Sequence, residues 1–133
     1  MRMWNVDTEI MCRKHLIAEH CEVHAFVGTI LKGIDIIGYV RKNLLAVDSL
    51  YTRHKQLVRE MRSRGYNHNS PMIREEVISI VGLNPFCDDV RHIGIDSTAA
   101  RADLIARCDE CRKLFEEKGE TCFINIDELN DNI

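Results

Sequence analysis

The sequence contains no long apolar run, since stretches such as residues 34–40 are interrupted by Asp35 and Gly38. A membrane-spanning helix needs about 20 consecutive apolar residues, so we expect no membrane segment. The first seven residues also lack the apolar stretch of a signal peptide. We therefore expect the protein to remain in the compartment in which it is made.

Proline and glycine are scarce as well, at 2 and 7 of the 133 residues, and no low-complexity tract is present. Because 45% of the residues are apolar, a largely disordered chain is excluded and one hydrophobic core can form. This length suits a single domain over residues 1–133.

Charge is unevenly distributed along the chain. Residues 1–70 carry 11 Lys and Arg against 7 Asp and Glu, a net of +4, whereas residues 71–133 carry 7 against 14, a net of −7. Five of the six histidines also lie in the first part. The basic part is therefore the candidate surface for a polyanion such as nucleic acid, although two ordinary solvated faces would produce the same counts.

Six cysteines are present, at positions 12, 21, 87, 108, 111 and 122, and without a secretory signal we expect them to remain thiols. Cys108 and Cys111 form a C-x-x-C, but the pair falls within a predicted helix and no second C-x-x-C completes a zinc site. His20 and His24 have the i, i+4 spacing of two metal ligands on one helix, yet no third ligand is evident. We interpret them as unrelated surface histidines and assign no metal.

Apolar residues recur at helical spacing in four segments. Their start and stop signals are the cap residues Asp7 or Thr8, Ser49, and Ser97 or Thr98, and the glycines at 65 and 119. The predicted helices cover about residues 8–27, 49–65, 70–81 and 97–118, and residues 34–47 are expected to form an irregular connection with one helical turn. We therefore predict an all-α domain of three to four main helices with long loops.

One face of the first predicted helix carries a group of titratable side chains. His15, Glu19 and Glu22 share this face because residues three and four apart are neighbours on a helix. A carboxylate at the edge of a core can have a raised pKa and act as general acid or base. The pattern leaves open an alternative in which these groups only pair with Arg13, Lys14 or a neighbouring helix.

Two segments resemble a known enzyme family. Arg2 with residues 15–22, His-Leu-Ile-Ala-Glu-His-Cys-Glu, and the basic segment 53–67, which ends in Arg-Gly-Tyr-Asn, resemble the pyrimidine-dimer DNA glycosylases of the phage endonuclease V type. In that family an Arg follows the N-terminal residue, a His-Leu-x-Ala-Glu-x-x-Glu segment lies on the first helix, and a basic helix ends in Lys-Arg-Gly-aromatic-Asn. The resemblance spans about residues 1–70 and, more weakly, 97–115.

The resemblance implies a compact all-α enzyme that excises a UV-damaged base from double-stranded DNA and cleaves the strand at the abasic site, without metal or cofactor. The family's nucleophile is the N-terminal α-amine, and its essential glutamate corresponds to Glu22. Since α-amines have a reference pKa of about 7.7–8.0, a neutral fraction exists near pH 7 to attack C1′ of deoxyribose and form an imine. Glu22 then assists ring opening and removal of the 2′ proton, which expels the 3′ phosphate.

Met1 itself occupies the position of the family's nucleophile in the ungapped alignment, and Arg2 is too bulky for efficient removal of Met1. We therefore expect a retained Met1 to supply the amine. Arg2, His15 and Glu19 match family positions that hold the sugar and phosphates or support the glutamate. Further DNA contacts are expected from the basic side chains of the first part, namely Arg13, Lys14, Arg53, Arg59, Arg62 and Arg64.

Some positions depart from the family. Cys21 and Ala25 replace two basic residues that contact phosphate, and an acidic run with Phe123 replaces an aromatic, lysine-rich C-terminal tail. UV pyrimidine dimers remain the first candidate substrate. One alternative is a lyase for pre-formed abasic sites only, and another is a non-enzymatic helical module that binds nucleic acid or a metal through its His and Cys groups. We expect a monomer in the cytoplasm of a bacterial or infected host cell.

Overall fold

The computed structural model describes residues 1–118, and within this range the regular elements are all helical. They include α1 (Arg13–Leu31), α2 (Ile37–Arg41), α3 (Leu50–Ser63), α4 (Arg74–Leu83) and α5 (Ser97–Arg107). Residues 109–118 are also helical and are called α6 below. The prediction of an all-α fold is confirmed. Among the described residues, none of the helices combines the length and apolar character needed to cross a membrane.

The first helix begins later and ends later than predicted. Asp7 caps only a short 3-10 turn, Thr8–Ile10, by accepting a hydrogen bond from the Glu9 backbone N–H at 3.0 Å. The chain is extended at Cys12, and α1 starts at Arg13. It continues beyond the predicted end because the buried side chains of Phe26 and Ile30 keep this face of the helix in the core.

The second predicted helix is confirmed as α3. Ser49 occupies its N-cap position, and Gly65 follows its end with φ of +82°, a left-handed conformation that glycine adopts without the strain of a Cβ atom. The connection between α1 and α3 contains the short helix α2 and then a 3-10 turn, Val47–Ser49, that leads into α3. Helix α2 corresponds to the single helical turn predicted there.

The last two predicted helices need correction. The third begins at Arg74 rather than Ser70, because the Ser70 carbonyl lies against the histidine side chains of α1 and α3 instead of entering a helix. The fourth is not continuous: Cys108 adopts an extended conformation (φ −125°, ψ 112°) and separates α5 from α6. Residues 119–133, with the acidic run, Cys122 and Phe123, lie outside the described residues, so the single domain over 1–133 stays a prediction.

Helix α1 lies at the centre of the fold and packs against α3 and α4. Its buried apolar side chains are Leu16, Val23, Phe26 and Ile30. The opposite face is open to solvent and carries the exposed residues Lys14, Ala18, Cys21 and Ala25. We call this the exposed face of α1, and the candidate site residues lie along its two edges.

Candidate active site

The N-terminal segment runs beside α1 and brings its first residues to Glu22. The backbone N–H of Arg2 donates a hydrogen bond to Glu22 Oε2 at 3.2 Å. Met3 is fully buried, and its N–H donates to the Leu44 carbonyl at 2.7 Å, which anchors the segment. Met1 is 45% exposed. A carboxylate therefore lies next to the first peptide unit of the chain, on the accessible side of the core.

The side chain of Arg2 is already engaged. Its Nη1 donates to Asp103 Oδ2 of α5 at 2.8 Å, and its guanidinium carbon lies 3.6 Å from the centre of the Trp4 ring. The edge of Trp4 in turn meets His15, with 5.9 Å between ring centroids. Arg2 thus contacts Glu22, and Trp4 links Arg2 to His15. Trp4 and Asp103 were not among the predicted residues.

Glu19 and Arg53 form a buried ion pair. Arg53 is 2% exposed and Glu19 is 0% exposed, and the guanidinium donates from Nε at 2.5 Å and from Nη2 at 2.9 Å to the two carboxylate oxygens. Arg53 also donates to the Val6 carbonyl at 2.7 Å, and the backbone N–H of Asn5 donates to Glu19 at 3.5 Å. The pair joins α1, α3 and the N-terminal segment. Arg53 is therefore buried instead of lying at a surface for DNA, and Glu19 matches the alternative in which it pairs with a neighbouring helix.

This pair leads to a prediction about stability. Replacing Arg53 with Met leaves a carboxylate buried without its partner, which costs about 3–5 kcal/mol. We expect the free energy of unfolding to fall by that amount in urea denaturation. Arg59→Met, on the exposed side of the same helix, is the matched control and should change it by about 0.5 kcal/mol or less. Equal effects of the two substitutions would contradict the structural role.

The remaining predicted cations, apart from Lys14 on the exposed face of α1, occupy different surroundings. Arg59 and Arg62 line a cleft of about 720 Å³ between α3 and the segment before α4, and we call it the basic cleft. Its lining residues are Tyr51, His54, Lys55, Val58, Arg59, Arg62, His68, Asn69, Pro71 and Met72. The guanidinium of Arg13 lies over the Tyr66 ring, 4.7 Å from its centroid. The guanidinium of Arg64 donates hydrogen bonds to the Glu60 carboxylate at 2.8 Å and to the Thr8 carbonyl at 3.1 Å.

The predicted site residues therefore occupy two sides of one helix. Glu22 and His24 are two residues apart and differ by about 200° around the helix axis. Glu22 faces Arg2, and His24 faces the Ser70 carbonyl. Residues of the exposed face of α1, including Lys14 and Cys21, lie between these two edges.

Four potential ligands meet where α1 and α6 begin. Cys12 Sγ lies 3.2 Å from His15 Nδ1 and 3.9 Å from Cys108 Sγ, and Cys111 Sγ lies 3.8 Å from the same His15 nitrogen. All four ligand atoms are within 4.8 Å of one another. We call this group the cysteine cluster, and it is formed by one C-x-x-H and one C-x-x-C.

The surroundings of the cysteine cluster affect its titration. Burial raises the pKa of Cys111 to about 12. Burial also acts to raise the pKa of Cys108, but hydrogen bonds from Cys111 and Cys12 outweigh it, and this pKa is lowered. Burial, followed by the charge of Lys14, lowers the pKa of His15. The cluster therefore combines a neutral imidazole with a thiol that ionises more readily than usual.

Four histidines form a second group beside the basic cleft. His20 and His24 come from α1, His54 from α3, and His68 from the segment before α4, with all four ligand atoms within 4.8 Å of one another. His20 Nε2 lies 3.2 Å from His54 Nε2 and 3.0 Å from His68 Nε2. Burial, with repulsion from the neighbouring rings, lowers the pKa of His20 and His54 to about 4. We call this group the histidine cluster.

The interpretation of His20 and His24 as unrelated surface residues was wrong. His20 is buried, and its neighbours come from three segments of the chain. The cysteine cluster did have a sequence signal that the prediction missed, because Cys12-Arg-Lys-His15 has the same spacing as Cys108 and Cys111. The prediction placed Cys108 in the middle of a helix, but it lies immediately before the start of one.

The comparisons with known proteins concern the first part of the chain. The family model described as pyrimidine dimer DNA glycosylase matches residues 1–74. This range includes the contact between Arg2 and Glu22, the buried ion pair and the histidine cluster, whereas α5 and α6 lie beyond it. No curated protein and no solved structure shows significant similarity to the chain.

Proposed function

The chain belongs to the pyrimidine dimer DNA glycosylase family, and from this membership we propose that it is a glycosylase with abasic-site lyase activity, with the Met1 amine as nucleophile and Glu22 as general acid and base. The hydrogen bond from the Arg2 N–H to Glu22 Oε2 at 3.2 Å carries this proposal. This contact supports the proposal because the Glu22 carboxylate then lies within reach of groups bonded to the N-terminal residue. The exposure of Met1 leaves room for a sugar beside it.

The proposed chemistry proceeds through one covalent intermediate. The neutral Met1 amine attacks C1′, and the glycosidic bond breaks with its electron pair leaving on the base. The amine then loses a proton while the ring oxygen accepts one, so the C1′–O4′ bond opens and an imine remains. Glu22 removes a 2′ proton, the electron pair forms the C2′–C3′ double bond, and the 3′ phosphate departs. Water finally hydrolyses the imine and restores the amine.

The other residues near Glu22 hold the N-terminal segment in position and take no part in bond making or breaking. Asp103 and Trp4 hold the Arg2 side chain, and the buried Glu19 accepts a hydrogen bond from the Asn5 backbone. These contacts fix both ends of the short segment that presents Met1. Placement of this kind matters because displacement of a reacting group by about 1 Å can cost about 100-fold in rate.

The experiment that tests the proposal is borohydride trapping on DNA duplexes. One duplex carries a UV pyrimidine dimer, a second carries a pre-formed abasic site, and a third is undamaged. A glycosylase with lyase activity forms a covalent adduct with the first two and cleaves both. Reaction with the abasic duplex alone would limit the activity to the lyase step, and no adduct with either would reject the mechanism.

DNA is proposed to lie across the exposed face of α1. The helix is about 10–12 Å wide with its side chains, so a duplex on this face reaches Glu22 at one edge and the basic cleft at the other. Lys14 is the cation on this face, and Cys21 and Ala25 are neutral. Arg59 and Arg62 of the basic cleft therefore supply the larger share of positive charge available to phosphates.

We expect affinity for duplex DNA to decrease with salt and to depend on these two arginines. Each phosphate contact contributes about 0.9 to the slope of log K against log salt, so Arg59→Ala and Arg62→Ala should each reduce the slope by about 1. Cleavage at saturating protein should not change, because phosphate contacts position the DNA. Fluorescence anisotropy from about 50 to 200 mM salt measures the slope.

The control for this experiment is Lys42→Ala, an exposed cation outside the lining of the basic cleft. It should leave the slope unchanged. If all three variants bind as the unmodified protein does, the basic cleft is not a docking surface for DNA.

A further inference from the structure

The cysteine cluster has the geometry of a four-ligand metal site. In a tetrahedral zinc site, with Zn–S about 2.3 Å and Zn–N about 2.0–2.1 Å, neighbouring ligand atoms lie about 3.3–3.8 Å apart. The separations between Cys12, His15, Cys108 and Cys111 are 3.2, 3.8 and 3.9 Å. The cysteines are free thiols, and a cluster of several iron ions would need sulfurs farther apart. The space between these atoms suits one ion.

Backbone N–H groups point at two of the sulfur atoms of the cluster. The Cys12 N–H donates to Cys111 Sγ at 3.2 Å, and the Cys111 N–H donates to Cys108 Sγ at 3.5 Å. Each ligand pair also begins a helix, since Cys12 is the N-cap residue of α1 and Cys108 immediately precedes α6. The positive end of a helix dipole stabilises a negative sulfur there.

We propose that Cys12, His15, Cys108 and Cys111 bind one zinc ion with a structural role. Three thiolates and one imidazole form a soft ligand set that suits Zn²⁺. Because the protein fills all four positions and Cys12 and Cys111 are buried, no position remains for substrate, as in structural rather than catalytic sites. This proposal does not depend on the proposed enzymatic function.

The ion would join a part of the chain that the family model matches to a part that it does not match. Cys12 and His15 lie within residues 1–74, and Cys108 and Cys111 lie beyond them. His15 also contacts Trp4, which holds Arg2. The site therefore supports the N-terminal segment through the contact between His15 and Trp4. In this proposal His15 is a positioning residue and does not contact DNA.

The test is titration of untagged, full-length protein with Co²⁺ after removal of bound metal under reducing conditions. Co²⁺ replaces Zn²⁺ in tetrahedral sites, and bonds to thiolate produce charge-transfer absorption in the near ultraviolet that imidazole ligands do not produce. We expect this absorption to saturate at about one equivalent and to disappear when Zn²⁺ is added. Absence of thiolate charge transfer in the unmodified protein would overturn the proposal.

Matched cysteine variants sharpen the result. Cys108→Ser should reduce the charge-transfer absorption by at least one third, because at most two thiolates remain, whereas Cys21→Ser, which changes a cysteine outside the cluster, should retain it in full. If Cys108→Ser does not fold, Cys108→His keeps four ligands and loses one of three thiolates, so the absorption should fall by about one third. Full absorption in either Cys108 variant would also overturn the proposal.

The histidine cluster carries a second proposal on separate grounds. A neutral imidazole nitrogen presents one hydrogen or one lone pair in the plane of its ring. Yet His20 Nε2 has two histidine neighbours within 3.2 Å, and His54 Nε2 has both His20 at 3.2 Å and the Ser70 carbonyl at 3.1 Å. Hydrogen bonds cannot use all of these contacts at once, whereas a central cation meets every lone pair.

We infer that His20, His24, His54 and His68 bind a second divalent transition metal. Imidazole is a ligand for Zn²⁺, Cu²⁺ and Ni²⁺, and the i, i+4 pair on α1 supplies two of the four nitrogens. The ion would fasten the segment before α4 to α1 and α3. Because His54 and His68 line the basic cleft, it would also fix the shape of that cleft.

Metal content by elemental analysis, after saturation with Zn²⁺ and removal of free metal, tests this second site. We expect about two equivalents in the unmodified protein and about one in His20→Asn and in His68→Asn. His92→Asn is the control, because His92 is 80% exposed and pairs with Asp48 instead. If His20→Asn does not fold, the half-buried His68 still decides the result. A metal content in His68→Asn equal to that of the unmodified protein would overturn the proposal.

Discussion

Adding a single residue before Met1 is expected to abolish the covalent adduct that borohydride traps between the protein and abasic DNA. One residue moves the amine by up to about 3.3–3.6 Å, and displacement by about 1 Å already costs about 100-fold. The Arg2 N–H that contacts Glu22 would keep its place, so the extended protein should fold normally. The measurement compares adduct yield for N-terminally and C-terminally extended chains of equal circular dichroism.

The position of the adduct gives the matching control. Mass mapping of the trapped species should place the DNA on Met1. Lys14→Arg removes a nearby primary amine on the exposed face of α1 but keeps its charge, and should leave the yield unchanged. An adduct on Lys14 or Lys55, or full yield with the N-terminal extension, would refute the N-terminal mechanism. The protein would then be a lyase that uses another amine as its nucleophile.

Glu22→Gln is expected to reduce strand cleavage at abasic sites by about 10²–10⁴-fold, the usual contribution of a general acid or base. The amide keeps an oxygen that can accept the Arg2 hydrogen bond, so DNA binding should remain nearly intact. Single-turnover cleavage and fluorescence anisotropy separate the two effects.

Glu75→Gln, at an exposed position of α4, changes net charge by the same amount and should cleave normally. Full activity in Glu22→Gln would exclude Glu22 as the acid and base. Loss of binding in parallel with cleavage would instead indicate that Glu22 organises the N-terminal segment.

The helices were predictable where their signals are local. The end of α3 was predictable because the left-handed conformation of Gly65 is a local signal, and its start coincides with Ser49 although the Ser49 side chain makes no capping hydrogen bond. The interruption at Cys108 was missed since apolar spacing continues through α5 and α6. At the interruption, Cys108 Sγ lies 3.9 Å from Cys12 Sγ, 96 positions away in the sequence, and helical spacing does not reveal a contact of this kind.

The charge of a side chain did not predict whether it lies at the surface, because its partner can be far away in the sequence. Arg53 lies in a run of basic residues and was predicted at the surface, but its partner Glu19 is 34 positions away on another helix. The Arg2 partner Asp103 is 101 positions away. By contrast, the likeness of residues 15–22 to a known family selected Glu22 as the candidate glutamate, because that motif lies within about two turns of one helix.

The central helix also restricts how the chain can change in length. Successive residues of α1 turn by about 100°, and Glu19, His20, Cys21 and Glu22 face the ion pair, the histidine cluster, solvent and the N-terminal segment in turn. One inserted or deleted residue between His15 and Glu19 would redirect all four and separate them from the cysteine cluster. Chains that retain both clusters and the Arg2 contact must therefore align without a gap from Cys12 to His24, whereas the loops that flank α2 are free to vary in length.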